Sequence, residues 1–250
     1  MEGDSAVAPD FGPLAETYDR LRPVDANWKE LFEVLVAEGD LAGRRVLDVG
    51  SGTGQLALAL ARRGARVWGV EPSEEMLRRS REVAGRAVGL KRGRAEALPF
   101  KASWFERAVL RAVVHLVDRS RALPELARVL VPGGRAAIAT FAPEHFEGYW
   151  LNDFFPEVLE IDRARFPTGP ELERELGDAG FERVRTRMLR QRGSLAREEA
   201  LKRIRGRYIS TLRLLDEDAF ARGLARAQSG LPGTVAYRVE WNVLVADRAG

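Results

Sequence analysis

Three glycines at spacing two, Gly50, Gly52 and Gly54, follow directly on the apolar run Val46-Leu-Asp-Val49. Glycine has no Cβ and tolerates positive φ, so such a loop lets the backbone approach a ligand closely, and the helix start behind it offers unpaired N–H groups. A dinucleotide fingerprint would need a further glycine at position 55, where Gln55 stands. The next acid, Glu71, ends a second apolar run, Arg66-Val-Trp-Gly-Val70, and a carboxylate there can accept hydrogen bonds from both ribose hydroxyls of a nucleoside-like ligand. His115 is the other side chain suited to chemistry, because imidazole titrates near neutrality and can act as a general base. A histidine that only hydrogen-bonds a neighbouring loop is the alternative for that position. His145 is a weaker candidate, and neither histidine has partners at metal-ligand spacing, so no metal is expected.

These residues need elements to hold them. Val46 to Val49 reads as a buried parallel strand, and Leu56 to Ala61 as a helix with Arg62, Arg63 and Gly64 at its end. Further strands are expected over residues 66–70, 87–91, 108–111, 135–141, 181–189 and 234–247. Helices are expected over 25–38, from the Ser73 cap onward, over 123–130 and 168–179, and as one or two amphipathic helices over 197–228. Pro132-Gly-Gly134 reads as a turn. Alternating strands and helices predict an α/β, doubly wound, Rossmann-like sheet of seven mostly parallel strands with an antiparallel last strand. Ligands of such sheets sit beyond the carboxyl ends of the strands, which places Arg111 to His115 at the crevice.

The run Val46 to Gly54 continues through Glu71-Pro-Ser-Glu-Glu-Met-Leu77, Ala95-Glu-Ala-Leu-Pro-Phe100, Val113-Val-His115 and Glu125-Leu-Ala-Arg-Val-Leu-Val-Pro-Gly-Gly134. In this order and spacing the chain resembles the class I S-adenosylmethionine (SAM) dependent methyltransferases, and most closely the small-molecule type grouped with the ubiquinone and menaquinone biosynthesis enzymes. The resemblance covers residues 11–141 and implies SAM as cofactor and S-adenosylhomocysteine as product. It implies a cofactor site from Asp48, Gly50, Ser51, Gly52, Gly54 and Gln55 of the loop, Glu71 and Pro72 after the second strand, and Arg111 at the crevice. Met76 would lie against the adenine ring. Tyr18 and Arg22 belong to a segment similar to the family's N-terminal cover and would touch the methionine end of the cofactor or the acceptor.

Arg94 departs from the family, which carries Asp or Asn where the adenine amino group is bound. A guanidinium has no acceptor, so Ala95 or Glu96 must take that role. The implied layout is one domain over residues 1–250, with a cover at 11–40, a cofactor core at 41–141, an aromatic lid at 142–166 and a helical insertion at 196–230. Residues 1–10 read as a loose tail.

No cysteine is present, which excludes disulfides, zinc–thiolate sites and methyl transfer through a cysteine nucleophile. No apolar run is long enough to span a bilayer, and no basic start precedes an apolar stretch, so a cytoplasmic protein is expected. Net charge is +3, and of the 40 basic side chains four are lysine and 36 arginine, against 37 acids. That balance reads as a surface of ion pairs. A small-molecule acceptor under the lid is therefore the leading expectation, with nucleic acid disfavoured. The alternative is an RNA or protein methyltransferase using the arginines between residues 183 and 226.

Overall fold

The computed structural model describes residues 9–250. The tail expected over residues 1–10 lies, up to residue 8, outside the described residues. In chain order the elements are α1 (Tyr18–Leu21), α2 (Ala26–Gly39), β1 (Arg45–Val49), α3 (Gln55–Arg62), β2 (Arg66–Glu71), α4 (Glu74–Ala84), β3 (Val88–Arg92) and β4 (Phe105–Arg111). They continue with α5 (Arg119–Val129), β5 (Leu130–Thr140), α6 (Glu157–Arg165), α7 (Gly169–Asp178), β6 (Phe181–Ala196), α8 (Arg197–Arg205), α9 (Glu217–Gly230) and β7 (Thr234–Arg248).

The seven strands form one sheet in the order β3-β2-β1-β4-β5-β7-β6. β1 pairs in parallel with β2 and β4, whereas β7 runs antiparallel to both β5 and β6. This is the mixed, mostly parallel sheet that the alternation of elements predicts. β1 is apolar without alternation because helices cover both faces. On one face α2 and α3 pack Leu31, Leu35 and Leu60 against Val46, Val109 and Val243. On the other, α5 and α7 pack Leu123, Leu126 and Leu176 against Leu47, Leu110 and Ile138.

Capping residues start the helices where local chemistry requires. Asp25 accepts from the Trp28 amide, Ser73 from Met76 and Asp216 from Ala219, and Thr168 with Glu171 forms a reciprocal capping box.

Two readings of the sequence are corrected. Pro132-Gly-Gly134 is an outward bulge inside β5 and not a turn before it, since Phe105 pairs with Leu130 and Arg107 with Arg135. β6 also continues seven residues past Leu189, to Ala196, paired with β7 throughout. Its polar run Arg190-Gln-Arg-Gly-Ser hides the strand, because an edge strand needs little apolar surface. The resulting long antiparallel β6–β7 pair extends past the end of β5, its strands joined through α8 and α9, and α8 packs on both strands and on α9. There a separate apolar cluster, including Leu151, Phe155, Ile204, Leu212 and Phe220, joins the 149–161 segment to the insertion.

Candidate functional site

The strand ends of β1, β2, β4, β5 and β7 open into a cavity of about 510 Å³ under α1 and the two 3₁₀ turns Pro143–Gly148 and Trp150–Asp153. That size is ordinary for a small-molecule site.

Its floor begins at the glycine loop, where the three glycines have distinct tasks. All three have positive φ: 69° at Gly50, 54° at Gly52 and 81° at Gly54. A Cβ at Gly50 would meet Val113 at 2.7 Å, and one at Gly54 would strike Ser80 on α4, so these two glycines serve close packing. Nothing lies within 4 Å of a Cβ at Gly52, so there the backbone faces open space in the cavity wall. The loop is tied to β2 by the Gly50 and Ser51 amides, which both donate to the Val70 carbonyl at 2.8 and 3.1 Å.

Glu71 ends β2 inside the cavity and accepts from the Gly52 amide and the Ser73 amide, each at 3.0 Å. Burial raises its pKa, opposed by those two amides. Each carboxylate oxygen keeps a further lone pair for a ligand hydroxyl. Pro72, Met76, Ala95 and Glu96 line the same end. Glu96 accepts from the Asp118 amide at 3.0 Å, tying the 93–96 loop to the start of α5. Arg94 points outward and approaches Glu96 at 3.5 Å.

Asp48 of β1, Ser51 and Gly54 of the loop and Gln55 at the start of α3, expected at the cofactor, do not line the cavity. Asp48 is buried with one carboxylate oxygen unpartnered. Burial pushes its pKa up to about 7, against the opposing charge of Arg111.

The cover closes from above. Tyr18 and Arg22 line the cavity; Arg22 donates to the Tyr208 carbonyl at 2.8 Å and to the Tyr18 hydroxyl at 3.1 Å. The Thr53 hydroxyl donates to Asp19 at 2.6 Å and so fastens the cover to the glycine loop. The sequence reading passed over this bond, for which the Tyr-Asp pair of the cover was the available signal.

At the far end, His115 and Phe166 stack with centroids 3.9 Å apart. Burial, then the charges of Arg165 and Arg22, hold the His115 pKa well below its usual value, and its Nδ1 has no partner. His145 accepts weakly from the Glu240 amide at 3.4 Å and stacks on Phe141; burial brings its pKa down to about 4. Phe146, Tyr149 and Trp150 form the lid wall. Phe154 and Phe155 do not line the cavity: Phe155 packs on Phe220 and fills the space that a Cβ at Gly223 would need. All four tyrosines of the chain, Tyr18, Tyr149, Tyr208 and Tyr237, line this cavity, and so do both histidines. Tyr208, Tyr237, Gln191 and Trp241 went unassigned in the sequence, because their segments show only helical or strand periodicity.

Among the described residues no cluster of three or more metal-ligating side chains occurs, and no helix is long and apolar enough to cross a membrane.

Residues 47–138 match the methyltransferase domain family. An uncharacterized methyltransferase of Mycobacterium bovis is 39% identical over 128 residues, which are 51% of this chain and 50% of that protein. The ubiquinone/menaquinone biosynthesis C-methyltransferase of Geobacter sulfurreducens is 35% identical over 147 residues, covering 53% of this chain and 56% of the relative. The chain thus spans about half the length of these curated relatives. A likeness of fold reaches further. Phosphoethanolamine N-methyltransferase 2 of Haemonchus contortus, solved with phosphomonomethylethanolamine and S-adenosylhomocysteine, matches 96% of this chain and 59% of its own at a TM-score of 0.63 and 20% identity.

Proposed function

Because residues 47–138 match the methyltransferase domain family, we propose that this chain is a class I SAM-dependent methyltransferase that transfers the methyl group of SAM to a small, partly apolar acceptor held under the lid. One observation carries the reading: a single cavity runs from the open backbone at Gly52 and the buried Glu71 carboxylate to a wall of aromatic side chains.

The site fits the cofactor. Gly52 presents a backbone with no side chain in the way, and Glu71 offers unused lone pairs where ribose hydroxyls would lie. Ala95 and Glu96 supply acceptors at the adenine end, Met76 a flat apolar contact, and Arg22 with Tyr18 donors at the methionine end. Bound SAM supplies an electrophilic methyl group on a sulfonium, displaced in line by the acceptor. The chain's share is alignment, since holding reacting atoms roughly 3 to 3.5 Å apart replaces a bimolecular encounter. The lid and cover exclude water. His115 is neutral at physiological pH, and the burial and the Arg165 and Arg22 charges that keep it so also oppose its protonation, so its part at the acceptor is to orient it and not to hold its proton.

The surface supports the small-molecule reading over RNA. Of the arginines on β6 and α8 and in the turn after α8, Arg183, Arg187, Arg190, Arg203 and Arg207 are each paired with a carboxylate, while Arg185, Arg192, Arg197 and Arg205 make no salt bridge among the described residues. Acids interleaved with the basic groups in this way break up a phosphate-binding stripe.

Isothermal calorimetry with S-adenosylhomocysteine tests the cofactor. The wild type should bind, and Glu71→Ala should lose about 1.5 to 3 kcal/mol, the range for hydrogen bonds to a charged group. Arg94→Ala should bind nearly as the wild type, while Glu96→Ala should weaken binding. No heat with the wild type, or equal affinity in Glu71→Ala, would refute the proposal.

A further inference from the structure

The unexplained group in the cavity is Arg111. Five carboxylates line the cavity, Asp10, Asp25, Glu71, Glu96 and Asp162, and each already accepts a hydrogen bond from the chain. The other cavity arginines are engaged too: Arg22 with Tyr208 and Tyr18, Arg94 with Glu96, Arg203 with Glu199. Arg111 makes no ion pair and no side-chain hydrogen bond among the described residues. Asp48 lies on the same face of the sheet, since it pairs with Val109 in register, yet it forms no salt bridge with Arg111.

The guanidinium is instead fixed by rings, 5.8 Å from the centroid of Trp28 and 5.7 Å from that of Trp241. Cation–π contact holds the flat group in orientation while its in-plane N–H donors stay unspent. Five donors in a fixed fork suit a planar carboxylate, which can be bound bidentately.

Position decides which ligand would bring that carboxylate. Arg111 ends β4, and Trp241 belongs to β7, two strands further from β2 and Glu71. Trp241 packs on Phe141 at 4.1 Å, and Phe141 on His145 at 4.7 Å, so one of the two rings that hold the guanidinium belongs to the aromatic wall that continues into the lid. Arg22 of the cover spends Nε and one Nη on Tyr208 and Tyr18 and keeps its other Nη for a carboxylate of the cofactor.

We propose that the methyl acceptor is a small organic acid whose carboxylate docks on Arg111 between Trp28 and Trp241, with its apolar body against Phe141, Phe146 and Trp150. The proposal rests on the methyltransferase reading above. It also states a direction: the acid group anchors the acceptor at the β7 side, which leaves a nucleophile at the opposite end of the molecule free to face the methyl group.

The test uses the whole chain loaded with saturating S-adenosylhomocysteine, titrated with benzoate, 4-hydroxybenzoate and 3-phenylpropanoate and with the neutral amide of each. At least one acid should bind tenfold or more tighter than its amide, and Arg111→Met should abolish that difference. The acid and amide comparison on the wild type needs no variant, so a misfolded Arg111→Met leaves the test intact. Acids and amides binding alike would overturn the proposal. It would also fall if Arg111→Met lost tenfold or more in affinity for S-adenosylhomocysteine yet bound its decarboxylated analogue like the wild type, for then the anion is the cofactor's own carboxylate. Failure of the wild type to bind S-adenosylhomocysteine at all would instead sink the methyltransferase reading.

Discussion

Asp48 and Glu71 show how two acids at neighbouring strand ends take different characters from their surroundings. Glu71 has two backbone amides holding its charge, whereas one oxygen of Asp48 is buried with no partner. The Asp48 pKa rises from its usual 3.8 to about 7 because burial penalises the charged form. A folded-state pKa above the unfolded one means that the folded chain holds a proton the unfolded chain has released. The associated stability is therefore complete below the unfolded value and is lost as pH rises towards 7. Thermal melts of the wild type and Asp48→Asn between pH 4 and 8 should show the difference in stability shifting in favour of the variant as pH rises, with most of the change below pH 7. A constant difference across that range would mean that Asp48 is not protonated in the folded protein.

At the scale of elements, three segments distant in sequence meet over the cavity. Arg22 of the cover reaches the Tyr208 backbone, and the Tyr208 hydroxyl lies 2.7 Å from that of Tyr149 in the lid. Both phenols are partly buried, and that burial is the main cause that raises their pKa values, so the pair stays neutral and acts as one hydrogen bond between lid and insertion. A double-mutant cycle with Tyr149→Phe and Tyr208→Phe should return a coupling of about 0.5 to 1.5 kcal/mol in urea unfolding, the usual net value of one such bond. Strict additivity of the two substitutions would show that the lid and insertion are held by packing alone. The same segments separate two aromatic roles that are indistinguishable in sequence. Trp150 lines the cavity and Phe154 does not, so truncating Trp150 should impair acceptor binding, whereas truncating Phe154 should act through stability.

For the whole molecule, charge is abundant and nearly balanced, with 40 basic and 37 acidic side chains. Of the six exposed arginines between residues 183 and 207, Arg183, Arg187 and Arg190 each face a carboxylate, while Arg185, Arg192 and Arg205 make no salt bridge among the described residues, so a polyanion would meet basic groups interleaved with acids. Retention of a 30-nucleotide RNA in a filter assay should be negligible at near-physiological salt, and cofactor affinity should be almost independent of salt. Steep loss of RNA affinity with salt, with a slope set by phosphates neutralised, would restore the polyanion reading. Neutralising Arg203, Arg205 and Arg207 together should then remove it.

What the sequence determined by itself was whatever depends on neighbours along the chain. The β1 run, the spacing of Gly50, Gly52 and Gly54, the acid at Glu71 and the caps Asp25 and Ser73 are local patterns, and each sets a backbone conformation within one or two turns. From them the sheet and the cofactor end of the cavity are legible. The lid end is not. It is made by Trp28 of α2, Phe141 after β5, Tyr208 after α8 and Trp241 of β7, and by a β6–β7 pair whose polar strand conceals its length. Tertiary structure alone separates Gly54, which must clear Ser80, from Gly52, which faces open space, and alone leaves Arg111 between two rings with no salt-bridge or hydrogen-bond partner among the described residues. The reason is physical: whether a side chain finds a partner depends on what the fold brings to it across the chain, and spacing in sequence carries no record of that.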